Sequence, residues 1–306
     1  MSGGPIGDRR QATPATHLVG LIGERLTASL TPLLHETEAA RLGLEYEYRI
    51  LDLIEMGRSP RDLEHLLGEA ADEGFDAVNV TYPCKQLAFD LVDDVDHDAG
   101  RLRAVNLVLL REGRRVGYNT DWIGYRDGLR AGLPDASMER VVQAGCGGAG
   151  SATAYALLAC GTRELQLTDV DDARAEALAD ELRALFPSSR VTTVFASELD
   201  VALAAASGVV NATPLGMAHH PGVAFDVDRV RPGTWVSDVV YRPLQTELIR
   251  RAIRRGLPVL DGGRMAVGQA FASLEIITGV RPDRQRMEGH FRGLVREETS
   301  AEEERA

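Results

Sequence analysis

"RVVQAGCGGAGSATAYALLACG" spans residues 140–161. It reads as a buried strand, a glycine-rich turn and a helix of small residues. Gly145, Gly147 and Gly150 stand at G-x-G-x-x-G spacing, with Gly148 and Ala149 between the last two. Alone the pattern is weak, since a tight turn without a ligand satisfies it. Here a strand precedes it, a helix follows, and "ELQLTDVD" (164–171) supplies the next strand. Small residues let the backbone approach a pyrophosphate, whose charge then sits on the helix N-terminus. Asp169, 24 residues past Gly145, stands where a carboxylate would accept both adenosine ribose hydroxyls of NAD. That charge repels a 2′-phosphate, and Val170, Asp171 and Asp172 follow it where an arginine would be needed. The spacing therefore predicts NAD rather than NADP, against the plainer reading of Asp169 as a surface residue in a turn.

Outward from this unit the same alternation continues. "DARAEALADELRALFP" reads as a helix, and "RVTTVFA", "SGVVNATPLGM" (207–217) and "TWVSDVVY" (234–241) as strands. "TELIRRAIRRGLPVLDG" adds a helix and a short last strand. Five strands with intervening helices predict a doubly wound parallel sheet. Before it, "HLVGLIG" (17–23), "YEYRILDL" (46–53) and "FDAVNVTYP" (75–83) read as strands separated by helices. The first of those helices is expected to have Thr31 at its N-cap, Pro32 at its first helical position and Gly43 just past its end. Residues 104–121 read as a β-hairpin around Glu112–Gly113. The fold class is α/β, with a second α/β layer ahead of the nucleotide unit. A final helix over 262–280 is placed to pack back on the first layer.

Composition narrows the function. The net charge is −12, which argues against nucleic-acid and anionic-membrane partners. Cys84, Cys146 and Cys160 show no metal-type spacing, and a reduced, cytoplasmic protein is expected. His219 and His220 are adjacent without partner ligands, so no metal site is expected. Cys146, inside the glycine loop, is expected to pack rather than react. No long apolar run predicts a membrane span. "MSGGPIGDRRQATPAT" lacks the apolar core of a secretory signal and reads as a loose tail, and "REETSAEEERA" is expected to fray.

"NVTYPCKQL" (79–87) contains Lys85, the only lysine among 34 basic residues. Arginine does not release its proton in a protein, whereas lysine does. Lys85 is therefore a candidate to give and take a proton, against codon bias that left one lysine by chance.

Several stretches occur in a telling order: "SLTPLLHE", "NVTYPCKQ", "AVNLV", "NTD", "GCGGAG", "NATPLGM" and "GRMAVGQA". Together, over about residues 17 to 290, they resemble the shikimate dehydrogenase family, most of all its NAD-dependent quinate/shikimate dehydrogenases. The resemblance implies an N-terminal substrate domain, residues 1–121, completed by 262–306, and a Rossmann-like NAD domain, 122–261, with a closing cleft between them. It implies that Lys85 and Asp121 are the catalytic pair. Ser29 and Thr31 would bind the substrate carboxylate, Thr81, Asn106 and Gln269 would hold ring hydroxyls, and Tyr241 would line the cleft. Asn211, Thr213, Pro214, Gly216 and Met217 would meet the cofactor beside the glycine loop.

The implied reaction is oxidation of the C3 hydroxyl of quinate or shikimate, with hydride passing to the nicotinamide. The substrate is a small polyol carboxylate, and a homodimer is compatible with the reading. Rival readings are an NADP-dependent shikimate dehydrogenase, an aminoquinate or aminoshikimate dehydrogenase, and a non-catalytic NAD-binding regulator. The chain departs from the family pattern at Arg103, Leu107, Cys84 and Gly268, which bears on which polyol fits. Leu107, in place of a threonine, is expected to remove a hydroxyl near the ring.

Overall fold

The computed structural model describes residues 17–26 and 29–303, with side chains described as far as Glu297. The stretch 1–16, read above as a tail, lies outside the described residues. The first half of the chain runs β1 (His17–Gly23), α1 (Thr31–Arg41), β2 (Tyr46–Asp52), α2 (Leu63–Asp72), β3 (Ala77–Val80), α3 (Lys85–Asp90), β4 (Asp94–Val95) and α4 (His97–Leu102). The hairpin β5 (Leu107–Arg111) and β6 (Arg114–Tyr118) follows, then α5 (Thr120–Gly132). Glu112 and Gly113 both have positive φ, 53° and 72°, as a two-residue hairpin turn requires. These strands form one six-stranded sheet in the order β2-β1-β3-β5-β6-β4. β1 pairs in parallel with β2 and β3, whereas β5 runs antiparallel to β3 and β6.

The second half alternates strictly: β7 (Arg140–Ala144), α6 (Gly148–Ala159), β8 (Glu164–Thr168), α7 (Asp172–Leu185), β9 (Arg190–Thr193), α8 (Leu199–Ala205) and β10 (Gly208–Asn211). Then come β11 (Trp235–Asp238), α9 (Glu247–Arg254) and β12 (Val259–Leu260). The second sheet is all parallel, in the order β12-β11-β10-β7-β8-β9. This is the doubly wound, Rossmann-like arrangement, with six strands once the short last strand is counted. Its strand order reverses between β7 and β10, where ligands of such sheets bind. Helices cover both faces, so β10 and β11 are buried along their whole length. Trp235 lies so close to β10 that a Cβ on Gly208 would sit 2.0 Å from its ring.

Two helices close the chain, α10 (Gly263–Thr278) and α11 (Arg284–Glu303). α11 runs as helix through Glu303, and the last three residues of "REETSAEEERA" lie outside the described residues. It is tied back by Arg286, whose Nε donates to Glu38 of α1 at 2.8 Å, and by burial of Met287, Phe291 and Val295 against Leu30 and Leu34. α10 lies along α5, with the two backbones in close contact. A Cβ on Gly268 would meet the Gly124 Cα at 2.7 Å, and one on Gly124 would meet the Met265 carbonyl at 2.6 Å. Gly268, a departure from the family pattern, is thus one half of a glycine–glycine crossing.

Three other departures are also explained by packing. Arg103 ends α4 at φ 47°, the left-handed conformation that glycine adopts more cheaply, and its guanidinium lies over the Phe89 ring. Cys84 is fully buried in the first-sheet core. Leu107 is fully buried among Val19, Leu21, Leu26 and Ile277, so its effect is on the core rather than on a hydroxyl lining the cleft.

Candidate active site

β3 ends beside β1, where the Thr81 N–H bonds the Ile22 carbonyl, and the chain turns through Tyr82 and Pro83 into α3. Lys85 is the first residue of α3, and its own carbonyl accepts the Val105 N–H at 3.0 Å. Asp121 occupies the second position of α5, where a helix N-terminus favours a carboxylate. Two asparagines hold that first turn. Asn119 caps it by accepting from the Asp121 and Trp122 N–H groups at 3.1 and 3.4 Å. Asn106 Oδ1 accepts the Thr120 N–H at 2.7 Å. So fixed, Asp121 Oδ2 lies 2.5 Å from Lys85 Nζ. The carboxylate side chain is 3% exposed and the lysine 20%, so the pair is buried on one side and open on the lysine side.

Behind the pair runs a buried polar chain that sequence reasoning missed. Tyr48 Oη donates to Asn79 Oδ1 at 2.9 Å, and Asn79 Nδ2 donates to the Asn106 carbonyl and to Ser273 Oγ, each at 3.2 Å. Ser273 Oγ lies 3.1 Å from Thr120 Oγ1, which also receives Asn106 Nδ2 at 3.0 Å. All five residues are buried, and satisfied buried networks of this kind fix geometry. The chain joins β2, β3, α5 and α10 around Asn106. Gln269 precedes Ser273 by one helical turn, so the same bonds set the position of its face. The signal was available: Asn79 and Thr120 belong to "NVT" and "NTD".

Near the start of α1 one expectation is corrected. Thr31 is the first helical residue, and Leu30 holds the cap position without a side-chain bond. The capping hydroxyl belongs to Ser29, whose Oγ accepts the Thr31 N–H at 3.3 Å. Pro32 accordingly stands second in the helix rather than first, while Gly43 lies just past its end as expected, with φ 74°. Tyr241, after β11, packs its ring 5.9 Å from Phe291 in the cluster that includes Leu30, which brings that segment to the mouth of α1.

The second half of the site lies at the reversal of strand order. Gly145 has φ 99°, and a Cβ there would meet the Ala212 carbonyl at 2.6 Å. Gly150 touches the Gly145 carbonyl closely enough that a Cβ would lie 2.2 Å from its oxygen. Gln143 braces the loop from beneath, its Nε2 donating to the Gly145 and Gly150 carbonyls at 2.9 and 2.8 Å. At Gly147 and Gly148, by contrast, a Cβ would meet nothing. No side chain caps α6, so its first N–H groups and that open face fit a pyrophosphate. Burial pushes the Cys146 thiol up to about 12, in keeping with packing rather than reactivity.

Asp169 is 6% exposed in its side chain. Its Oδ2 accepts the Cys146 N–H at 2.7 Å, which ties the glycine loop to the end of β8, and its Oδ1 accepts the Asp171 N–H at 3.0 Å. The expectation of no arginine nearby is corrected: Arg174, in the first turn of α7, reaches back to 3.4 Å from Asp169 Oδ1 and 3.3 Å from Asp171 Oδ2. Asn211, expected among the cofactor contacts, is fully buried with its amide engaged. Nδ2 donates to the Leu215 carbonyl and Asp238 Oδ1, and Oδ1 accepts from Thr213 N–H and Oγ1. It shapes the loop that presents Thr213, Pro214, Gly216 and Met217, with Met217 exposed and Gly216 at φ 106°.

Residues 21–108 match the family model described as the shikimate dehydrogenase substrate binding domain. A shikimate dehydrogenase (NADP(+)) of Pseudarthrobacter chlorophenolicus is 48% identical over 286 residues, 94% of this chain and 98% of the relative. The chain belongs to the shikimate dehydrogenase family. A quinate/shikimate dehydrogenase (NAD(+)) of Corynebacterium efficiens is 45% identical over 278 residues, 90% of this chain and 98% of that one. Among solved structures, quinate dehydrogenase from Corynebacterium glutamicum in complex with NAD aligns with a TM-score of 0.87 at 42% identity, covering 91% of this chain and 99% of that chain. Relatives within the family thus carry both cofactor names. No described helix is long and apolar enough to cross a membrane.

Proposed function

We propose that this family member is an NAD-dependent quinate/shikimate dehydrogenase, oxidising the C3 hydroxyl of its polyol carboxylate reversibly. The observation that carries the reading is the 2.5 Å contact between Lys85 Nζ and Asp121 Oδ2, with Thr81 and Asn106 on adjoining strand ends. NAD, when bound, supplies the hydride acceptor; the chain supplies alignment and proton handling. Lys85 Nζ hydrogen-bonds the reacting oxygen and takes its proton, while Asp121 orients the amine and balances its charge. Ser29, Thr31 and Tyr241 receive the carboxylate at the start of α1, where the helix N-terminus favours an anion. Gln269 holds a ring hydroxyl from α10.

The cofactor would lie with its pyrophosphate at Gly147–Gly150 and its adenosine ribose at Asp169. The buried, acidic end of β8 supports NAD. One observation favours the NADP reading: Arg174 stands beside Asp169, where a guanidinium could take a 2′-phosphate. Steady-state kcat/KM for quinate and shikimate, each with NAD⁺ and NADP⁺, separates the two. A clear NAD⁺ preference with quinate turnover is expected. NADP⁺ preference with shikimate alone would assign the biosynthetic reaction instead.

A further inference from the structure

The parallel sheet has a second edge. The strands β7, β8, β9 and β10 begin on the side away from the glycine loop, about 16 Å along a five-residue strand. A cavity of about 390 Å³ lies there, lined by Arg140, Arg163, Arg190 and Arg231 with two glutamates. Four guanidinium groups around one hollow are conspicuous in a chain of net charge −12.

The glutamates neutralise only part of that charge. Arg140 pairs with Glu164 at 2.9 Å, and Arg163 pairs with Glu139 at 3.1 Å. Neither Arg190 nor Arg231 takes part in an ion pair among the described residues. Arg231 Nη2 instead donates to the hydroxyl of Ser207, a buried residue that also lines the cavity, at 3.3 Å. The hollow therefore carries two uncompensated positive charges. The hollow is open to solvent, and both unpaired guanidinium groups belong to exposed residues.

We propose that this cavity binds a phosphoryl group, either free phosphate or the phosphate of a small metabolite. Planar guanidinium forks match the tetrahedral oxygens of phosphate and form paired, charge-assisted hydrogen bonds with them. Arg190 and Arg231 are the principal ligands. Arg140 and Arg163 form the rim, oriented by their glutamates. The site is separate from the glycine loop and does not depend on the substrate reading.

Isothermal titration with inorganic phosphate and with glycerol 3-phosphate, against sodium chloride at matched ionic strength, tests this directly. Both Arg190 and Arg231 lie at the surface, so the double variant Arg190→Ala/Arg231→Ala is expected to fold. Saturable phosphate binding is expected in the parent, weakened at least about tenfold in the double variant. The kcat/KM for the nicotinamide cofactor should be the same in both proteins, which separates this site from the glycine loop. Equal affinities for the two probes would assign free phosphate, and tighter glycerol 3-phosphate a phosphate ester. No binding above the chloride control, or binding that the double variant retains in full, would overturn the proposal.

Discussion

Asn211 Nδ2 donates to Asp238 Oδ1 at 2.9 Å, joining the ends of the neighbouring strands β10 and β11. Both residues are buried. Asp238 also accepts the Val240 N–H at 3.0 Å and Thr246 Oγ1 at 2.7 Å, and Thr246 caps α9. One carboxyl thus connects the 211–217 loop, the segment leading to Tyr241, and the start of a helix.

That carboxyl makes stability depend on pH in an unusual direction. Burial pushes Asp238 up to about 6 from an ordinary 3.8. Between those values the folded protein holds a proton that the unfolded chain has released, so the contribution of Asp238 to stability falls as pH rises through this window. Asp238→Asn removes the titration and keeps an acceptor for Asn211 and Val240. Denaturant unfolding at several pH values should show the variant gaining on the parent between about pH 4 and pH 7, by up to about 3 kcal/mol. A difference independent of pH would refute this.

Lys85→Arg keeps a cation beside Asp121 but offers no proton to exchange at neutral pH. Turnover is expected to fall by about 10²–10⁴, the usual worth of a positioned acid–base group. Substrate affinity, measured by equilibrium titration, should change far less. Unchanged kcat would remove the proton-transfer role from Lys85.

The α5–α10 crossing leaves no room for a methyl group. Gly268→Ala must separate two backbones and should cost about 1–3 kcal/mol in unfolding free energy. Gly289, in α11, is the control, since a Cβ there meets nothing. Gly289→Ala should leave stability unchanged or raise it by up to about 1 kcal/mol through helix propensity. Comparable losses in both variants would mean that the crossing is not the cause.

Asp169 and Arg174 make opposed predictions for the cofactor. Asp169→Asn weakens the acceptor for ribose hydroxyls and should lower kcat/KM with NAD⁺ about tenfold, the scale of one charge-assisted hydrogen bond. Arg174→Ala should lower kcat/KM with NADP⁺ and spare NAD⁺. If Arg174→Ala instead impairs NAD⁺ alone, the arginine serves by orienting Asp169.

Much of this was legible in the sequence because it is local. Strand–turn–helix order, the glycine spacing and the hairpin at Glu112–Gly113 follow from periodicity and backbone conformational limits. Lys85 was conspicuous by composition, and Asp121 by its motif. The short helices α3 and α4 escaped because six residues carry too little periodicity to read. The terminal helix α11 escaped because its charged surface conceals the few residues, Met287, Phe291 and Val295, that bury against α1 and α10.

Contacts between distant segments were decided only by the tertiary structure. Sequence named Thr31 as the cap, but the path of the chain gave that bond to Ser29. It named Asn211 as a cofactor contact, yet packing of β10 against β11 turned its amide inward. It placed no arginine beside Asp169, because the geometry that brings Arg174 back is one turn of a helix and not the next residue. By itself the sequence determined the alternating elements and the glycine loop, and it marked Lys85 and Asp121 as the candidate pair. The 2.5 Å contact between Lys85 and Asp121 needed more. Two residues 36 positions apart meet there because Asn106 and Asn119 hold one helix turn while β3 delivers the other.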